Sequence, residues 1–292
     1  MLRLLCLLLC CLPCALGAQG ALRVAVLHPL LGELTQRLGG EEVQVLPLYS
    51  GAGDLHDFAP STADLAAAAQ APLLLACGKG LEPYLEDLRR SLPPSTEIVE
   101  LGTTLPDVCL PGTTVADPHW WNAPVQVRRA ARVLLGELCR RRPQQAAAFT
   151  GRFRSLSTEL DDLHREAALR LAAIPPEQRV LVTGHAAFCH WCAEFGFTPV
   201  AVYGVAHESE GDAASLAELL ADLRRAGARC LFTEAYEEDR GIVALAQQLG
   251  AGTQSLIADG ISPEHTGYAD IFRRNVQAVC DGLADGKEGA QP

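Results

Sequence analysis

Apolar and polar positions change their period repeatedly along the chain. LRVAVL (22–27) is a short apolar run that reads as a buried strand, and PLLGELTQRLGG (29–40) spaces its leucines for a helix closed by glycines. EVQVLPL (42–48) predicts a second strand, and STADLAAAA predicts a helix with Ser61 or Thr62 as its cap. A strand at 72–76, a helix at 81–92 and a strand at 97–101 continue the alternation, which implies parallel pairing in one α/β lobe. From Ala123 the pattern is helical, broken at Arg142-Pro143. Phe149, Phe153, Leu156, Leu160, Leu163, Ala167 and Leu171 then form one apolar stripe that Pro175-Pro176 ends. Strands at 179–184, 199–204, 228–234 and 253–258 alternate with helices in the last third and predict a second lobe.

The fold class expected is therefore α/β, with two parallel-sheet lobes joined by one long backbone helix and a site in the cleft between them. The expected divisions are a signal peptide at 1–17, an N-terminal lobe at 18–143, a linking helix at 144–174, a C-terminal lobe at 175–285 and a flexible tail at 286–292. A chain of 292 residues that is 49% hydrophobic and 20% charged can bury two such cores. Its net charge of -11 argues against nucleic acid and against an anionic membrane surface, and suits a cationic ligand.

MLRLLCLLLCCLPCALG (1–17) combines an early arginine, an apolar run and the small residues Ala15 and Gly17, as a cleaved export signal does. Pro13 before Cys14 argues against a lipid anchor at that cysteine. Four of the 11 cysteines fall in this segment, so seven remain after cleavage, and export would place them where disulfides persist. Cys189 and Cys192 form a C-x-x-C on the helix expected after 185. It reads either as a redox motif or as a structural pair of buried thiols, and the surrounding residues favour the structural pair.

Open α/β sheets collect ligands at the carboxyl ends of their strands, because the loops there converge on one crevice. That rule selects His56, His119, His185 and Asp259, two from each lobe. His119 stands in DPHWWNAP, where a proline and two tryptophans hold it. Three imidazoles and a carboxylate suit tetrahedral Zn(II), whereas Mn(II) prefers more oxygen. Spacings of 63, 66 and 74 residues exclude a zinc finger and require a site assembled by tertiary structure. A zinc hydrolase is the enzymatic rival, but a fourth protein ligand would close the coordination position that it needs. His28, His164 and His265 read as solvated or packed, and His190 as a surface residue or one behind the ligands.

GDLHDFAPSTAD, GKGLEPYLEDL, DPHWWNAP, GHAAFCHWCAEFGF, FTEAYEEDRGIVALAQQLG and IADGIS with YADIFRRNVQAVCDGL carry a resemblance across almost all of the chain beyond the signal segment. In order and spacing they resemble the metal-binding solute-binding proteins of ABC importers, the zinc and manganese group called cluster A-I. The resemblance implies two lobes on a rigid helix, ligands at His56, His119, His185 and Asp259, and no enzymatic activity. It further implies a monomeric periplasmic protein that gives Zn(II), or alternatively Mn(II), to an inner-membrane ABC permease. A periplasmic metallochaperone, as partner or as the role itself, and a metal-dependent adhesin share this pattern. Histidine at the third ligand is similar to the zinc-type members.

Glu234, ending the strand FTE, reads either as a carboxylate that orients an imidazole or as half of a buried ion pair. His207 is either an exposed loop residue or an accessory site at the cleft rim. Zinc-type relatives can carry cysteines at the places of Cys230 and Cys280, so the resemblance implies a disulfide between strand and last helix. The sequence departs from the zinc type in having no histidine between 57 and 118, and it carries Glu210-Gly211-Asp212 where Glu-Pro-Ser is customary.

Overall fold

Alternate side chains of a strand face opposite sides of its sheet, and here both sides are apolar. In β1 (Leu22–Val26) and β3 (Leu73–Ala76), Val24, Val26, Leu73 and Leu75 face one core, while Ala25, Leu74 and Ala76 face another. With β2 (Val43–Pro47) and β4 (Glu97–Glu100) they form a parallel sheet in the order β2-β1-β3-β4. A second parallel sheet repeats that order as β6-β5-β7-β8, from β5 (Val180–Thr183), β6 (Thr198–Ala201), β7 (Cys230–Glu234) and β8 (Gly252–Leu256). The computed structural model describes residues 20–49, 55–203, 213–235, 239–259 and 267–283. The expected signal peptide, the tail at 286–292, His207 and His265 lie outside these residues.

Helices α1 (Pro29–Gly39), α2 (Thr62–Ala68) and α3 (Leu85–Ser91) flank the first sheet. Ser61 caps α2 by accepting the Asp64 N–H while Asp64 accepts the Ser61 N–H, so Ser61 is the cap of the two candidates. Helices α4 (Pro124–Arg141) and α5 (Ala146–Leu171) follow, separated by a 3-10 turn at Pro143–Gln145. The 26 residues of α5 make a rod of about 39 Å. All seven residues of its predicted stripe are buried. They join one apolar cluster that runs from Val24 and Leu75 of the first sheet to Leu181 and Phe232 of the second. Helix α5 therefore belongs to the cores of both lobes. Among the described residues no helix is long and apolar enough to cross a membrane.

Helices α6 (Cys189–Phe195), α7 (Ala213–Arg225), α8 (Arg240–Leu249) and α9 (Tyr268–Leu283) complete the second lobe. Two helices start later than their periodicity predicts. Before α3, Gly78, Lys79 and Gly80 all take positive φ, and the Glu82 side chain turns back to accept the Cys77 and Gly78 N–H groups. Before α6, residues 185–188 form a loop, so Cys189 is the first residue of its helix rather than one to two turns inside it.

The expected Cys230–Cys280 disulfide is not formed, since both residues are free thiols. Gly282, not Cys280, faces Cys230: a Cβ on Gly282 would stand 2.7 Å from the Cys230 sulfur. Positions two apart on a helix do not share a face, so Cys280 points elsewhere.

Candidate metal centre

Two of the selected residues lie just past a strand and two lie in or beside a 3-10 turn. His56 sits in a 3-10 turn at Leu55–Asp57 beyond β2, and His119 directly precedes a 3-10 turn at Trp120–Asn122. His185 follows β5 by two residues, and Asp259 follows β8 by three. These four sequence-selected residues come together, each offering a ligand atom within 4.8 Å of the others. The Nε2 atoms of His56 and His119 stand 2.9 Å apart. Asp259 places Oδ1 3.9 Å from His119 Nε2 and Oδ2 3.7 Å from His185 Nε2. The three imidazole rings lie 5.1, 5.2 and 5.9 Å apart between centroids, tilted edge to face rather than stacked.

Asp117 is the functional residue that sequence reasoning missed. Its carboxylate is fully buried, and Oδ1 accepts both the His119 backbone N–H at 2.8 Å and the ring Nδ1–H at 2.6 Å. With the proton held on Nδ1, the Nε2 lone pair faces the centre. Oδ2 accepts the N–H groups of Cys189 at 3.1 Å and His190 at 3.4 Å from the second lobe. Burial opposes the charge on Asp117, but the His119 imidazole and its hydrogen bonds outweigh burial and hold the carboxyl below the usual range. The signal available in the sequence was an acid two residues before a candidate ligand.

The tryptophans beside His119 complete its seat. Trp120 Nε1–H donates to the Cys77 carbonyl at 3.2 Å, which requires Gly102: a Cβ there would stand 2.4 Å from that carbonyl oxygen and 2.7 Å from Trp120 Nε1. Trp121 donates to the Ala258 carbonyl at 2.8 Å, next to Asp259, and Asn122 donates to the Ala187 carbonyl at 2.8 Å. One loop thus holds His119 and grips the second lobe. His190 is buried, with Nε2 at 3.0 Å from the Asp117 carbonyl oxygen, so it stands behind the ligands rather than among them.

Glu234 stands against His185 at the end of β7, a contact that fits both an orienting carboxylate and half of a buried ion pair. Its Oε1 contacts His185 Nδ1, as Asp117 does for His119, and turns Nε2 towards Asp259. Burial raises the Asp259 carboxyl above its usual range, the His119 and His185 imidazoles oppose that shift, and Glu234 adds to it. Asp259 Oδ1 is buried without a hydrogen-bond partner. A divalent cation among these atoms would supply the positive charge and the partner that the carboxylate lacks. Cys189 and Cys192 do not join this set. Burial, with Asp117 adding to it, pushes the Cys189 thiol up to about 12. Burial pushes Cys192 well up too, the direction opposite to the lowering that marks a reactive redox thiol.

A family model described as "Zinc-uptake complex component A periplasmic" matches residues 24–282. The chain belongs to this family. Its members are metal-binding solute-binding proteins. Zinc-binding protein TroA of Treponema pallidum is 25% identical over 279 residues, covering 92% of this chain and 91% of its own. Manganese-binding lipoprotein MntA of Bacillus subtilis is also 25% identical, over 282 residues, covering 91% of each chain. The solved structure of TroA superposes with a TM-score of 0.81 at 23% identity, over 91% of this chain and all of the other. A Mn-bound periplasmic metal-binding protein from Candidatus Liberibacter asiaticus gives 0.83 at 20% identity, over 90% of this chain and 99% of that one. Both share the two-lobed fold.

Proposed function

We propose that the chain is a periplasmic solute-binding protein that captures Zn(II) at His56, His119, His185 and Asp259 and delivers it to an inner-membrane ABC permease. The observation that carries this reading is the convergence of four ligand atoms within 4.8 Å, with the far nitrogens of His119 and His185 each turned to a carboxylate. Three nitrogens and one oxygen match the tetrahedral preference of zinc. Here the metal is cargo. What the residues contribute is a shell that holds it and a cleft whose walls can part: each lobe supplies two ligands, so a small shift of one lobe would withdraw two of four contacts.

Mn(II) is the second reading, supported by the manganese-binding relative at the same identity as the zinc-binding one. The experiment that separates them strips the protein with a chelator, offers equal Zn(II) and Mn(II), and counts bound metal, with His185→Ala in parallel. One zinc per chain and loss of most zinc in the variant are expected. Preferential manganese uptake would overturn the zinc assignment, and full zinc in the variant would overturn the ligand set.

A further inference from the structure

Strands β1 and β5 hold the same place in their sheets, and each ends two residues before a buried histidine: His28 in the first lobe and His185 in the second. His185 faces the metal centre. His28 lines a separate cavity of about 30 Å³ between the lobes, together with Glu33, Trp121, Ala258, Tyr268 and Phe272. Trp121 connects the two places, since its ring lies 4.5 Å from that of His28 and 5.2 Å from that of His119.

His28 Nδ1 accepts the Leu30 N–H at 3.0 Å and so caps α1. A nitrogen that accepts has no proton, so the ring proton of the neutral imidazole is on Nε2. Burial, helped by His119, pushes this imidazole down to about 3, which keeps it neutral at physiological pH. His28 Nε2 and the Tyr268 hydroxyl are both buried, and neither has a hydrogen-bond partner. The other polar groups on the wall are already engaged. Glu33 accepts the Tyr268 backbone N–H at 2.9 Å and pairs with Arg37 at 3.7 Å, and both ends of the Asn275 amide bond to Ile257.

We propose that this cavity is a hydration site, in which internal water accepts from His28 Nε2–H and bonds the Tyr268 hydroxyl, joining the first lobe to α9. A water needs roughly 10–15 Å³ of such space and two or more polar partners, so the cavity has room for two to three. The wall excludes other small occupants. An anion would meet the Glu33 carboxylate, a metal ion would find no lone pair on His28 Nε2, and an apolar molecule would leave both polar atoms bare. The bridge makes this lobe contact depend on exchangeable water, behind the tryptophan that packs on His119. It stands independently of which metal the centre takes.

Tyr268→Phe removes only the hydroxyl and leaves the ring in place. High-resolution crystal structures and melting curves of the parent protein and this variant test the proposal together. The expected result is ordered water within hydrogen-bond reach of His28 Nε2 and the Tyr268 hydroxyl in the parent, with the variant melting about 2 °C lower. A dry cavity predicts the opposite sign, because the variant would lose an unpaired buried hydroxyl and melt at the same or a higher temperature. Absence of water density, or a variant at least as stable as the parent, overturns the proposal.

Discussion

Asp117 shows how much one carboxylate can organise. It fixes the His119 tautomer with one oxygen and holds the start of α6 with the other, so it orients a candidate ligand and spans the lobes. Asp117→Asn keeps the size but presents an amide where two N–H groups need an acceptor. Titration with zinc against a competing chelator should show affinity about 10- to 100-fold weaker, as for other groups that orient metal ligands. Affinity within twofold of the parent would mean that Asp117 is only structural. His28 carries a pH prediction. Its folded-state pKa of about 3 lies below the unfolded value near 6.5, so the unfolded chain takes up the proton first and stability is lost as pH falls between those values. His28→Asn keeps a cap acceptor for α1. Urea unfolding at pH 7 and pH 4.5 should show a smaller acid loss in this variant than in the parent, and an equal loss would contradict the assignment.

Among the elements, α5 is the one the lobes share. Leu160, 2% exposed, lies within the cluster that reaches both sheets. Leu160→Ala should cost about 2–5 kcal/mol in chemical denaturation and shift the whole molecule as one transition. Two separate transitions, with only one displaced, would show that the lobes do not share this core. The α5 stripe and the central strands β1, β3, β5 and β7 were legible in the sequence because period and burial agree there, and the part-buried edge strands were legible from their place in the strand–helix alternation. Starts of α3 and α6 were not, because Glu82 and the loop after His185 spend those residues on backbone contacts and ligand placement. The disulfide that the resemblance implied for Cys230 also failed, because its neighbour across the strand–helix contact is Gly282. The four candidate ligands were singled out mainly by the family resemblance and secondarily by the strand-end rule, which His185 and Asp259 follow closely and His56, nine residues past β2, does not. Asp117 was hidden because an acid before proline looks like a turn residue, and its partners at Cys189 and His190 are 72 and 73 residues away.

For the whole molecule, the lobes are held together by apolar packing along α5 and by hydrogen bonds from the 117–122 loop into the second lobe. The metal would be gripped from both sides of that joint. An imidazole must be neutral to ligate, so metal affinity should fall in acid as protons compete for three nitrogens. Unchanged affinity between pH 7.5 and 5 would contradict a three-histidine site. The central claim is tested most directly by X-ray absorption at the zinc edge on stripped protein refilled with one equivalent of Zn(II). The account predicts four nitrogen or oxygen neighbours at about 2.0–2.2 Å with imidazole scattering from three of them. A shell containing sulfur, or one with fewer than three imidazoles, would contradict it.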